Sequence, residues 1–196
     1  MENFYHTKTL ISGVVTNTDF NANVKDIVRP TAALTIYDAM NKEWIPDIYV
    51  IFSNNGDARQ FKGIRVGDIL LVSGELNYIQ ETGYVIYATE YTILYHNKVS
   101  DIKKNRVLLF NECNQQNFSF ITGQLVSYNN ENQIATITYP SHYNIRGNIA
   151  NQYTIPIHTL NQIDIDQNLL QNCVFHGWIS QDYAEGYIDL IHSTTY

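Results

Sequence analysis

An internal repeat constrains this chain more than any other feature, because two copies of one unit should fold into two copies of one structure. The segment Val72-Ser-Gly-Glu-Leu-Asn-Tyr-Ile-Gln-Glu-Thr-Gly-Tyr84 matches Phe175-His-Gly-Trp-Ile-Ser-Gln-Asp-Tyr-Ala-Glu-Gly-Tyr187. In both, a Gly is followed nine positions later by Gly-Tyr. An earlier pair, Leu10-Ile-Ser-Gly-Val-Val-Thr16 and Phe120-Ile-Thr-Gly-Gln-Leu-Val126, recurs in the same order. The two elements stand 61 residues apart in the first half, from Gly13 to Gly74, and 54 apart in the second, from Gly123 to Gly177. Two spaced elements repeated in order point to duplication, which predicts equivalent places for Gly74 and Gly177.

Apolar alternation broken by polar turns makes each unit a series of strands. After the Gly13 segment, the first half reads as strand Ala32–Tyr37, turn Asp38–Lys42, strand Trp44–Phe52 and a short helical or turn segment around Ala58–Lys62. Strands Ile69–Leu76 and Tyr84–Tyr91 follow. The second half reads as Phe120–Tyr128, Gln133–Tyr139, Tyr153–His158, Cys173–Ser180 and Tyr187–Ser193, with Asn161–Gln171 in the helix position. Five strands with a small helix between the third and fourth is the order of an OB-type barrel. A Gly in the middle of strands one and four suits tight barrel bends. The expected fold is therefore all-β: two tandem five-stranded OB-type barrels, residues 1–110 and 111–196, each with that short helix. Lys98–Phe110, in the connection between them, fits either a short helix or a strand extension.

Composition agrees with a packed β protein. Hydrophobic residues make up 44% and charged residues 16%, with 15 Tyr and 8 Phe, and aromatic and β-branched side chains suit a pleated sheet. No apolar run approaches the roughly 18–20 residues that span a bilayer. The start, Met1-Glu-Asn-Phe-Tyr-His6, has no secretory pattern, so a cytoplasmic protein without membrane association is expected. Cys113 and Cys173 have no metal or redox spacing and read as two separate thiols. The net charge of −7 is unevenly spread. Residues 1–106 hold 11 of the 12 Lys and Arg against 12 acids, while residues 107–196 hold Arg146 alone against seven acids. Only the first half can gather cations on one face.

The stretch Glu43-Trp-Ile-Pro-Asp-Ile-Tyr-Val-Ile-Phe52, then Arg65-Val-Gly-Asp68 and Val72-Ser-Gly-Glu-Leu76, resembles OB-fold single-stranded DNA-binding proteins of the replication type. In that family a Trp opens strand three and a basic-Gly turn precedes an apolar-x-Gly-x-Leu strand four. The resemblance covers about residues 9–95, and the second half follows it more faintly. Some members carry two OB-folds in one chain, as the duplication implies here. The family's acidic tail has no counterpart in Asp189-Leu-Ile-His-Ser-Thr-Thr-Tyr196, so recruitment by that route is not expected. Richness in Asn, Ile and Tyr suits an AT-rich bacterial, phage or mobile-element genome.

Single strands are held by aromatic faces that stack bases and by cations that follow the phosphates. OB barrels place these on strands two and three and in the loops after strands one and four. The candidates are Tyr37, Lys42, Trp44 and Tyr49, Lys25 and Arg29 in the 1–2 loop with Phe20, Tyr78 in the 4–5 loop, and Arg59 and Lys62 with Arg65 after strand three. For the aromatics the competing reading is core packing, and for Lys25 and Arg29 a solvated loop. Pro46 lacks a ladder donor and marks an edge or bulge. A one-residue slip there would exchange Tyr49 and Val50 between the two faces.

No catalytic motif is present. His142, His158, His176 and His192 lack local metal-ligand spacing and read as strand-borne polar residues. Asp164 and Asp166 read as a solvated helix face. No enzyme activity, metal or cofactor is expected. The reading is a sequence-tolerant single-stranded DNA-binding protein of replication or recombination, with replication proteins or a second copy as partners. RNA fits the same stacking chemistry. The alternative is a protein–protein adaptor without nucleic-acid binding, which the acidic second half favours for at least one barrel.

Overall fold

The computed structural model describes residues 7–24, 27–52, 63–80, 82–96, 101–113, 115–140, 152–163 and 171–191, with residues 20–24 and 27–28 described by their backbone only. The first half supplies β1 (Thr7–Val24), β2 (Ile27–Asp38), β3 (Glu43–Phe52), β4 (Ile69–Ile79) and β5 (Gly83–Tyr95). Helix α1 (Ile102–Glu112) follows, then β6 (Asn117–Asn129), β7 (Ile134–Pro140), β8 (Gln152–Thr159), β9 (Asn172–Ile179) and β10 (Ala184–Leu190). Lys98–Phe110 is thus resolved in favour of a helix from Ile102 onward, and the expected division after residue 110 falls inside it. Of the two expected short helices, residues 58–62 and 164–170 lie outside the described residues, while Asn161–Ile163 and Gln171 are not helical.

The pairing pattern is the same in both halves. β1 pairs with β2, β2 with β3, β5 with β4 and β4 with β1, all antiparallel, while β3 and β5 are parallel. The ladder therefore returns to the strand from which it started. In the second half β6–β7, β7–β8, β10–β9 and β9–β6 are antiparallel and β8–β10 is parallel. Register repeats as well. Gly13 faces Leu70 and Thr9 faces Gly74, while Gly123 faces Cys173 and Ser119 faces Gly177. A bulge interrupts β1–β2 between Val15 and Asn17, and the counterpart interrupts β6–β7 between Leu125 and Ser127.

These glycines sit where a side chain would collide with the adjoining strand. A Cβ on Gly74 would strike the Tyr87 carbonyl oxygen, and one on Gly177 the Glu185 carbonyl oxygen. Tyr87 and Glu185 are themselves equivalent, each preceding the residue that faces the glycine, Ala88 or Gly186. The other end of the matched segments is not equivalent. Gly83 pairs with Ile79 at the hairpin tip with φ 85°, whereas Gly186 lies within its strand opposite Gly177. The shared Gly-Tyr spacing therefore aligns the first residue of a strand, at a hairpin tip, with a position inside another strand. The physical reason is that the β4–β5 hairpin extends further than the β9–β10 hairpin.

That extra length packs against the second half. Tyr84 Oη donates to Pro156 O, and Tyr139 Oη donates to Leu76 O. The Tyr87 and Tyr153 rings stack at 5.8 Å and 9°, and Tyr139 meets Tyr153 edge-on. A second join is the antiparallel β1–β6 ladder, Thr7 facing Ile121 through Ile11 facing Asn117, where buried Thr9 Oγ1 and Ser119 Oγ lie 3.0 Å apart. One apolar core consequently runs through both halves, from Leu34 and Val72 to Ile137 and Phe175. Burial pushes the Tyr84 and Tyr139 phenols above their ordinary pKa, with nearby Glu75 adding repulsion at Tyr139, and raises the Cys173 thiol to about 12.

Candidate nucleic-acid interface

β2 and β3 form the surface on which most of the candidate aromatics converge. Their chains turn at Asp38, whose buried carboxylate accepts from Met40 N at 2.9 Å, Asn41 N at 3.2 Å and Asn41 Nδ2 at 2.9 Å. An Asp side chain that satisfies the backbone two and three residues onward stabilises a tight turn. Lys42 completes it with φ 57° and is exposed. Pro46 does lie in a bulge: the register shifts between Leu34 and Ile36, which face Ile48 and Ile45. Thr35 Oγ1 donates to Ile45 O at 3.0 Å beside that irregularity. The bulge settles the face question, for Tyr49 points outward at 39% exposure and Val50 is buried in the core.

Tyr37 and Trp44 face each other across β2–β3, their rings 5.3 Å apart. Both are half-buried because α1 lies over this end of the sheet. Asp101 caps that helix by accepting from Lys104 N at 3.1 Å. Asn105 Nδ2 donates to Gly67 O at 2.7 Å, and Leu109 packs with Val14 and Ile69. The neighbouring helix face meets the aromatics. Arg106 Nη2 donates to Thr35 Oγ1 at 2.8 Å, and its guanidinium carbon is 5.1 Å from the Trp44 ring centroid. The Phe110 ring meets Tyr37 edge-on at 5.1 Å and 88°.

The remaining candidates divide. Arg29 is only 6% exposed, so its side chain does not project from the open surface. Tyr78 is half-buried on the long hairpin against Tyr84, 5.1 Å away, and makes no ring contact with the Tyr37–Trp44 pair. Lys25, Arg59 and Lys62 lie outside the described residues, as does the side chain of Phe20. Arg65 is exposed beside a turn in which its backbone N donates to buried Asp68 at 2.9 Å. Sequence reasoning missed Arg106 and Phe110. The signal available was the run Lys103-Lys104-Asn-Arg106-Val-Leu-Leu-Phe110, basic and apolar together.

A second aromatic surface occupies the outer side of β6, β9 and β10. Phe120 faces His176, and His176 stacks on Tyr187 at 5.6 Å. Phe118 and Tyr187 are 44% and 45% exposed. A groove of about 620 Å³ at the β1–β6 seam is lined by Phe118, Phe120, Lys8, Glu75 and Glu90 among others. Acids border this surface: Glu185 lies 3.6 Å from His158 and Asp189 lies 3.7 Å from His176. His142 and His192 lie outside the described residues, and within those residues no three metal-ligating side chains converge.

No protein-family model and no curated protein matches this sequence. Among solved structures, the chain is similar to the wild-type single-stranded DNA-binding protein of Thermus aquaticus, with a TM-score of 0.62 and 10% identity over 98% of this chain and 96% of that one. A deletion mutant of the same protein gives a TM-score of 0.61 and 11% identity over 97% of each chain. The expected resemblance to OB-fold single-stranded DNA-binding proteins is therefore present in the fold along nearly the whole chain.

Proposed function

We propose that this chain is a non-enzymatic, sequence-tolerant single-stranded DNA-binding protein that sequesters strands during replication or recombination. On this reading the two closed circuits are tandem OB-type barrels derived by duplication. Residues 1–110 hold the strand, while residues 111–196 organise or recruit. The observation that carries the reading is exposed Tyr49 with the half-buried Tyr37–Trp44 pair on strands two and three, where OB barrels place their stacking rings. The likeness to the Thermus aquaticus fold supports it. Lys42 beside that surface, with Lys25, Arg59 and Lys62, would follow the phosphates.

The deciding experiment is a fluorescence titration of the full chain with oligo-dT at two salt concentrations, with oligo-rU as competitor. Binding that weakens with salt and falls by about 1–3 kcal/mol in Tyr49→Ala supports the reading, and salt-independent or absent binding refutes it. Preference for oligo-rU would assign RNA as the ligand instead.

The adaptor alternative is favoured by one observation, the acid-bordered aromatic surface of β6, β9 and β10. Such a surface repels phosphates and suits a protein partner. A second copy of this chain is the occupant we propose. The surface adjoins β1 and β4 across the β1–β6 seam, so two copies could oppose one continuous sheet face. A dimer by light scattering that dissociates in Phe118→Ser supports this assignment, and a monomer at all concentrations rejects it.

A further inference from the structure

We infer that helix α1 forms one wall of the strand-binding surface, with Phe110 as a stacking ring and Lys103 and Lys104 as phosphate-binding side chains. The inference rests on the single-strand reading above and adds a part that β2 and β3 do not supply. Those strands and their turn offer one exposed cation among the described residues, Lys42, since Arg29 is buried. Phosphate neutralisation supplies much of the affinity for a strand, so further cations beside these rings would strengthen the hold. Helix α1 brings Lys103, Lys104 and Arg106 within four residues, with no acid between Ile102 and Phe110.

Its placement makes those charges relevant. Arg106 over Trp44 and Phe110 against Tyr37 anchor the helix beside the aromatic pair. Arg106 also occupies space above the Trp44 ring, so a base added to this surface meets other rings. Phe110, which touches the pair directly, is one of them. It remains 50% exposed while touching Tyr37, and Val107, one turn before it, is 59% exposed. The fully buried side chains of α1 are Asn105 and Leu109, so half of the Phe110 ring stays open to solvent while its edge holds Tyr37. Lys103 and Lys104 are exposed, and an ammonium on a flexible stem can reach a phosphate without disturbing the helix.

The test uses the full chain, oligo-dT fluorescence titrations at several salt concentrations, and thermal melts to confirm folding. Lys103→Glu/Lys104→Glu should flatten the salt slope by about 1.4, at roughly 0.7 for each phosphate left without its lysine. Phe110→Leu keeps an apolar helix residue but removes the ring, and should weaken binding by about 5- to 150-fold. Tyr49→Ala separates the two ideas. Wild-type affinity and slope in both α1 variants, with weakened binding in Tyr49→Ala, overturns the role of α1 and leaves the function standing. No binding of oligo-dT by the unmodified chain removes both.

Discussion

The guanidinium of Arg106 lies over the indole of Trp44, 5.1 Å from the ring centroid, while its Nη2 donates to Thr35 Oγ1 at 2.8 Å. One side chain thus ties α1 to both β2 and β3. Arg106→Ala should destabilise the protein by about 1–2 kcal/mol, the sum of one hydrogen bond and one cation–π interaction. Arg106→Lys should recover only part of that stability, since an ammonium cannot lie flat on the ring and bond Thr35 with the same geometry. Urea denaturation measures both, and an unchanged midpoint in Arg106→Ala would show that its contacts with Trp44 and Thr35 do not hold the helix in place.

Trp44→Ala should weaken oligo-dT binding more than Trp178→Ala, by about 1–3 kcal/mol if a stacking ring or its support is removed. Trp178 faces Glu185 across β9–β10, and its half carries one basic residue against seven acids. A greater effect in Trp178→Ala, with both variants folded, would move the binding surface to the second half.

Gly74→Ala and Gly177→Ala should each impair folding severely, because the added carbon meets the backbone of the adjoining strand at Tyr87 or Glu185. Backbone cannot swing aside as a side-chain tip can, so the strands must separate. Gly63→Ala is the control, since nothing lies within 4 Å of its added carbon. Soluble yield and melting temperature compare the three. Normal melting in Gly177→Ala would mean that the β9–β10 ladder tolerates a side chain there.

Stability should fall in alkali. Tyr84 and Tyr139 have raised pKa values because burial disfavours the phenolate. The folded state therefore holds protons that the unfolded chain releases at its ordinary value near ~10. This contribution is complete below that pH and is lost as pH rises towards the folded values. Tyr139→Phe should cost about 1–3 kcal/mol near neutrality by stranding the Leu76 carbonyl, and should make alkaline unfolding shallower. Melts from neutral pH into alkali monitor it, and a variant with the wild-type alkaline profile would exclude Tyr139 as a source.

Local patterning made the strands legible, because alternation and turn residues act within a few positions. Leu10–Thr16 and Phe120–Val126, with Gly74 and Gly177, carried enough information to align the two halves, since a glycine forced by close backbone approach marks one place in a pleated ladder. Local spacing also misled. Gly83 and Gly186 stand nine residues after equivalent glycines, yet one opens its strand at a hairpin tip and the other lies inside its strand. Hairpin length there answers to Tyr139 and Pro156, which lie far away in the chain.

Sequence by itself determined that strands recur in two matching sets, that cations gather in the first half, and that Trp44 and Tyr49 lie on one short segment. Tertiary structure decided which faces those residues show. The bulge at Pro46 turned Tyr49 outward, and the docking of α1 half-covered Tyr37 and Trp44 with Arg106 and Phe110. Neither outcome is written in periodicity, because a helix of weak amphipathic pattern is placed by the few partners it finds at Gly67, Val14 and Thr35. Those partners lie between 38 and 71 residues away for the hydrogen bonds of Asn105 and Arg106, and interactions at such separations exist only once the strands have closed.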